Sequence, residues 1–145
     1  MRIEKSTLDA IWPLRAEVLR DGQPPESARF YGDHDPRTLH LAALGDGGRV
    51  IGCLSLMVRP MPGAPAWTHQ LRGMAVHPEH RGRGVGGRLL EQLQRLAGEA
   101  AVWCNAREAA VGFYQRHGWV AVSEPFDIPH HGPHRRMVRP LRVES

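Results

Sequence analysis

Lysine is nearly missing from this chain: Lys5 is the only one in 145 residues, and arginine carries the rest of the basic charge. The arginines are scattered along the whole length, with no dense basic run interleaved with aromatics. The net charge of +4 therefore does not mark a nucleic-acid surface, and no nucleic-acid partner is expected. Abundant Arg, Ala, Gly and Pro beside so little Lys is the composition a GC-rich coding bias gives. Cysteine is equally scarce. Cys53 and Cys104 both fall in apolar runs, which excludes a disulfide framework and reads as two reduced, buried thiols. No run approaches the roughly 18 apolar residues of a membrane span, and Met1 to Lys5 is not followed by a signal-peptide core. A cytoplasmic protein without a membrane partner is expected. Its length suits one domain, residues 1–145, with a real hydrophobic core.

Glycine and arginine are plentiful, and they concentrate in Arg81-Gly82-Arg83-Gly84-Val85-Gly86-Gly87. This stretch lies between a strand-like run ending in Val76 and a helical run starting near Val85. Glycines let backbone N–H groups approach a ligand closely, the helix that follows presents its positive dipole end, and Arg81, Arg83 and Arg88 add charge. The combination suits phosphate. Neither the dinucleotide fingerprint nor the Gly-Lys-Ser/Thr of a nucleotide P-loop is present.

The rest of the pattern predicts alternating elements. Ile3 to Ser6 reads as a strand. A helix capped by Thr7 or Ser6 follows to Arg20, with Leu8, Ile11, Trp12, Arg15, Val18 and Leu19 in helical spacing. Asp21 to Arg37 reads as a long loop with room for a helical turn. Thr38–Leu44 and Arg49–Val58 form a hairpin about Gly45-Asp46-Gly47-Gly48, and Arg59 to Ala66 is a second loop. Gln70 to His77 is the central strand. Val85, Leu89, Leu90, Leu93 and Leu96 mark one face of a helix to Gly98. Ala101 to Asn105 is a strand, Arg107 to His117 a helix stopped by Gly118, Trp119 to Ser123 a strand, Phe126 to Pro133 a loop, and Arg135 to Leu141 the last strand. The expected fold is α/β: a mixed sheet with helices on its faces.

Two stretches together identify a family resemblance. Leu71-Arg72-Gly73-Met74-Ala75-Val76-His77-Pro78-Glu79 leads into the Arg-x-x-Gly-x-Gly loop, and Leu89-Leu90 follow on the helix. Downstream, Val102-Trp103-Cys104-Asn105-Ala106-Arg107 precedes Ala110-Val111-Gly112-Phe113-Tyr114-Gln115-Arg116-His117-Gly118-Trp119. Arriving in this order, they resemble the GNAT superfamily of N-acetyltransferases, most strongly from Leu71 to Trp119. The resemblance implies a mixed, mostly antiparallel sheet whose strands four and five splay apart. It implies acetyl-CoA as cosubstrate, with the pyrophosphate on Arg81 to Gly87 and the pantetheine arm along the strand of Met74, Ala75 and Val76. It implies direct transfer of acetyl to an amine of a small molecule or a protein, and homodimers through edge strands.

By the same resemblance Tyr114 protonates the departing thiolate, and the backbone N–H of Met74 or its neighbour steadies the oxyanion. Asn105 either bonds the pantetheine arm or caps the helix that follows. The family's strand glutamate is replaced by Gln70, which cannot take a proton, so a water chain oriented by Gln70, or a histidine such as His69 or His130, would have to serve. His130-His131-Gly132-Pro133-His134 lacks carboxylate or Cys partners at ligand spacing, so no metal is expected. The loop at Phe126 to His130, and Glu26, Arg29, Asp33 and Asp35 from the early loop, are candidates to shape acceptor choice. A second reading keeps the cofactor and drops turnover: a module that binds coenzyme A as a sensor or interaction domain.

Overall fold

A computed structural model describes residues 1–21 and 23–141. Residue 22 of the expected early loop, and the last four residues of the domain expected to reach Ser145, lie outside the described residues. The chain divides into two compact units, Met1–Val58 with Leu71–Gly98, and Arg59–Gln70 with the chain from Glu99 onward.

In the first unit, β1 (Arg2–Ser6), β2 (Leu39–Leu44) and β3 (Val50–Val58) form an antiparallel meander, and β4 (His69–Val76) lies beyond β3. Helix α1 (Leu8–Leu19) begins where the Thr7 hydroxyl accepts from Ala10 N at 3.2 Å, as the sequence predicts. Alternation along β3 assigns a helix to each face. Cys53 joins Ala42, Ala75, Ile11 and Leu14 in a cluster under α1. Gly52 faces α2 (Val85–Ala97), and a Cβ there would meet Val85 Cγ1 at 2.8 Å and Leu89 Cδ1 at 2.9 Å. The missing side chain is what lets α2 lie close to the strand. Val85, Leu89, Leu90 and Leu93 are buried as their spacing predicts, but Leu96 lies one turn too far along and is exposed. The early loop contains a 3-10 turn at Pro25–Ala28.

In the second unit, β5 (Val102–Arg107) pairs in parallel with β4 at His69↔Val102 and Gln70↔Trp103, a ladder of two pairs. On its other side β5 pairs antiparallel with β8 (Gly132–Val138) over five residues. β6 (Val120–Ala121) and β7 (Phe126–Ile128) also pair with β8. Eight strands, mostly antiparallel, with helices α1, α2 and α3 (Val111–Arg116) make up the mixed α/β fold of the described residues.

Several boundaries differ from expectation. Phe126 to Pro133 is not a loop, because Phe126–Ile128 folds back on β8 as a hairpin. The helix expected from Arg107 starts at Val111, after a 3-10 turn at Glu108–Ala110. Arg107 itself is held in β5 opposite His134. The last strand ends at Val138, before Pro140, and the strand expected over Trp119–Ser123 shortens to two residues.

Candidate active site

The chain leaves β4 at Val76, makes a 3-10 turn at Pro78–His80, and crosses Arg81–Gly84 into α2. Gly82 (φ +77°) and Gly84 (φ +79°) hold left-handed backbone, and a Cβ on either would touch nothing within 4 Å. Glycine here serves the turn and keeps the amides open to solvent. Gly84 caps α2 without a side-chain hydrogen bond, and no acidic residue stands in the first turn, where Val85, Gly86 and Gly87 follow. The positive end of the helix is thus uncompensated by the protein, as an anion site requires. Arg81 and Arg83 are exposed on the loop, Arg81 Nε donating to Val76 O at 3.3 Å. Arg88, in the first turns of α2, is exposed as well and donates to Met1 O at 3.4 Å.

Upstream on β4, Gly73 has φ +68° inside the strand. A Cβ there would stand 2.8 Å from Arg15 Nε and 3.0 Å from Phe30 Cε2. Arg15 is wholly buried. Its Nη1 donates to both carboxylate oxygens of Asp33, at 3.0 and 2.8 Å, and to Ala28 O at 3.0 Å, while Nη2 donates to Ser55 Oγ at 2.8 Å. Ser55 Oγ lies 2.6 Å from His40 Nδ1, and His40 Nε2 lies 3.1 Å from Asp33 O. These partners assign a neutral imidazole: Ser55 donates to Nδ1 and Nε2–H donates to the carbonyl. Burial lowers the His40 pKa in the same direction. Phe30 is stacked by the guanidinium groups of Arg15 and Arg72, at 4.3 and 4.2 Å.

This cluster corrects the reading of the early-loop acids. Asp33 does not await an acceptor, because it neutralises Arg15 in the core. Asp35 is bound by Arg37, which pulls its carboxyl down to about 2.

The second unit carries the remaining predicted residues. Tyr114 on α3 is buried, its ring 5.4 Å from Trp119. Burial first, and the Cys104 thiol second, push its phenol well above 10, so it stays protonated and can serve as an acid but not as a base. Phe113 packs edge-on to it at 5.2 Å. Gln70 is 4% exposed, and its Oε1 is buried without a hydrogen-bond partner; Asn105 Oδ1 is buried and unpartnered too. Neither the 3-10 turn nor α3 has a side-chain cap, which removes the capping alternative for Asn105.

Of the candidate bases, His69 is held by Thr68 Oγ1 at 2.7 Å, and His130 sits exposed at the tip of the β7–β8 hairpin with φ +68°. His134 is buried, its Nδ1 donating to Gly132 O at 2.8 Å. Among the described residues no three His, Cys, Asp or Glu side chains converge as a metal site.

An open Gly-Arg loop feeding an uncapped helix suits an anion, and the sequence profile of the Acetyltransferase (GNAT) family matches residues 6–119. The chain belongs to the GNAT acetyltransferase family. It is 32% identical over 147 residues to the uncharacterized N-acetyltransferase YitI of Bacillus subtilis (strain 168), covering 99% of this chain and 98% of that one. A GCN5-related N-acetyltransferase from Kribbella flavida is 26% identical with a TM-score of 0.70, over 97% of each chain. An aminoglycoside 6'-N-acetyltransferase complexed with coenzyme A is 15% identical with a TM-score of 0.75, over 100% of this chain and 99% of that chain, and shares the fold. As a GNAT member the protein is an acyltransferase with acetyl-CoA as cosubstrate.

The sequence missed the Arg15–Asp33–Ser55–His40 cluster and the kink at Gly73. The available signal was Arg15 itself, an arginine in the apolar stripe of α1. A buried guanidinium demands a carboxylate, but spacing could not say which.

Proposed function

We propose that this GNAT protein acetylates a primary amine of a small molecule or an exposed amine of another protein, by direct attack with both substrates bound. The observation that carries the reading is the loop Arg81–Gly84: two left-handed glycines open to solvent, two exposed arginines, and an α2 N-terminus with neither cap nor acid. Acetyl-CoA supplies an activated acetyl thioester. The amides of Gly82, Gly84, Val85, Gly86 and Gly87, with Arg81 and Arg83, hold its phosphates, and the backbone of Met74, Ala75 and Val76 lies along the pantetheine arm. The Met74 amide steadies charge on the carbonyl oxygen, and the Tyr114 hydroxyl gives its proton to the leaving sulfur. Tyr114, retained at the family's Phe-Tyr position, favours turnover over a silent binding module.

Gln70 cannot serve as a base. A single domain, a cytoplasmic location and pairing of two copies through edge strands complete the reading. The test is acetyl-CoA binding by calorimetry, run with thiol release in pools of amino acids, polyamines and peptides. Binding with release in one pool supports the enzyme; binding without release in any pool supports the sensor; no binding overturns the assignment of the loop.

A further inference from the structure

Two buried side chains with no part in binding or chemistry meet at the same peptide of β4. Cys53 lies in β3, and its thiol donates to Gly73 O at 3.6 Å while Ala75 N–H donates to the sulfur. Burial raises the thiol to about 12, so the proton that bonds Gly73 stays in place. Arg15 meets Gly73 from α1. Its two terminal nitrogens are bonded to Asp33, Ala28 and Ser55, but Nε is buried without a hydrogen-bond partner, 2.8 Å from where a Gly73 Cβ would stand. A buried guanidinium N–H left unsatisfied calls for an explanation. Its place supplies one: the guanidinium is fixed where it leaves the Gly73 backbone, at φ +68°, no room to move toward it.

The convergence follows from spacing. Cys53 and Ser55 share a face of β3, two residues apart, and Ile11 and Arg15 share a face of α1, four apart, with Cys53, Ile11 and Ala75 in one cluster. A trans peptide is planar, and its carbonyl and N–H point opposite ways. Gly73 O and Met74 N–H belong to one such peptide, and none among the described residues is cis. A Gly73 carbonyl held to Cys53 therefore turns the Met74 N–H away from Cys53. With Ala75 N–H on the same sulfur, the backbone is pinned on both sides of Met74.

We propose that Cys53 is a positioning residue for the transfer: with Arg15 standing against Gly73, its thiol fixes the direction in which the Met74 N–H meets the thioester oxygen. The inference rests on the acetyltransferase reading, in which that amide steadies the oxyanion. As the amine adds to the thioester carbon, the carbonyl oxygen gains negative charge, and a donor already aimed at it needs no reorganisation. A peptide free to swing would lose that stabilisation in the transition state while the bound substrates hardly feel the change. Cys53 itself touches no substrate and acts through Gly73 and Met74.

Three variants separate the hydrogen bond from the packing. Cys53→Ser keeps a donor, Cys53→Ala removes it and leaves space, and Cys53→Val removes it and fills the space. In thiol-release assays with acetyl-CoA and the amine that the wild type accepts from the pools of amino acids, polyamines and peptides, Cys53→Ala and Cys53→Val should each lower kcat about tenfold. The amine KM and the calorimetric acetyl-CoA affinity should stay within about threefold, and Cys53→Ser should keep kcat within about threefold of the wild type. If either donor-free variant does not fold, the other carries the comparison with Cys53→Ser. Losses of kcat that follow the melting temperature across the variants overturn the role, since packing alone would give them. An unchanged kcat in the donor-free variants overturns it too, and so does weakened acetyl-CoA binding with kcat kept. No release by the wild type with any amine overturns instead the reading on which the inference rests.

Discussion

Arg15 Nε occupies the space into which a side chain on Gly73 would grow: a Cβ there would lie 2.8 Å away. The guanidinium cannot retreat, since both terminal nitrogens are fixed by Asp33, Ala28 and Ser55. The buried ion pair and the kink of β4 are therefore one arrangement, immediately before Met74.

Gly73→Ala adds a methyl at φ +68° into this contact, so left-handed strain and overpacking act together. The expected loss is about 2–4 kcal/mol in urea unfolding. A loss under about 0.5 kcal/mol would mean that the cluster gives way easily.

His40 makes stability depend on pH. Its folded pKa is lowered by burial, so the charged form is disfavoured in the fold. Its contribution is fully present above the unfolded value near 6.5 and is lost as pH falls through the folded pKa, with a slope of at most about 1.4 kcal/mol per pH unit. Urea midpoints should fall below pH 6.5, and His40→Gln should flatten that fall.

Tyr114→Phe keeps the buried ring and removes the proton. Turnover should drop by about 10²-fold while acetyl-CoA affinity, read by calorimetry, changes less than about twofold. Equal loss in both would make Tyr114 a packing residue.

Replacing Arg81 and Arg83 with serine removes two exposed charges and nothing buried. Acetyl-CoA affinity should weaken about tenfold at low salt, with a smaller gap at high salt and an unchanged melting temperature. Unchanged affinity would leave the phosphates to the backbone alone.

Most elements were legible because their signals are local. The apolar spacing of Val85, Leu89, Leu90 and Leu93 identifies a helix face wherever that helix packs, and Pro78 ends a strand in any context. The errors fell where a partner strand overruled local preference. Arg107 stays in β5 because His134 pairs with it, and Phe126–Ile128 becomes a strand because β8 accepts it.

By itself the sequence determined the family, the glycine-arginine loop between β4 and α2 and the residue types available for chemistry, since these depend on glycine, arginine and tyrosine at fixed separations along the chain. Only the tertiary structure decided how the charges and polar groups were used. Asp33 was an acid in a loop until α1 brought Arg15 to it, and Gln70 was a glutamine at the position of the family's glutamate until strand register set it opposite Trp103 and burial left its oxygen without a partner. Burial and pairing are set by residues far away in the chain, and whether a polar atom is satisfied depends on them.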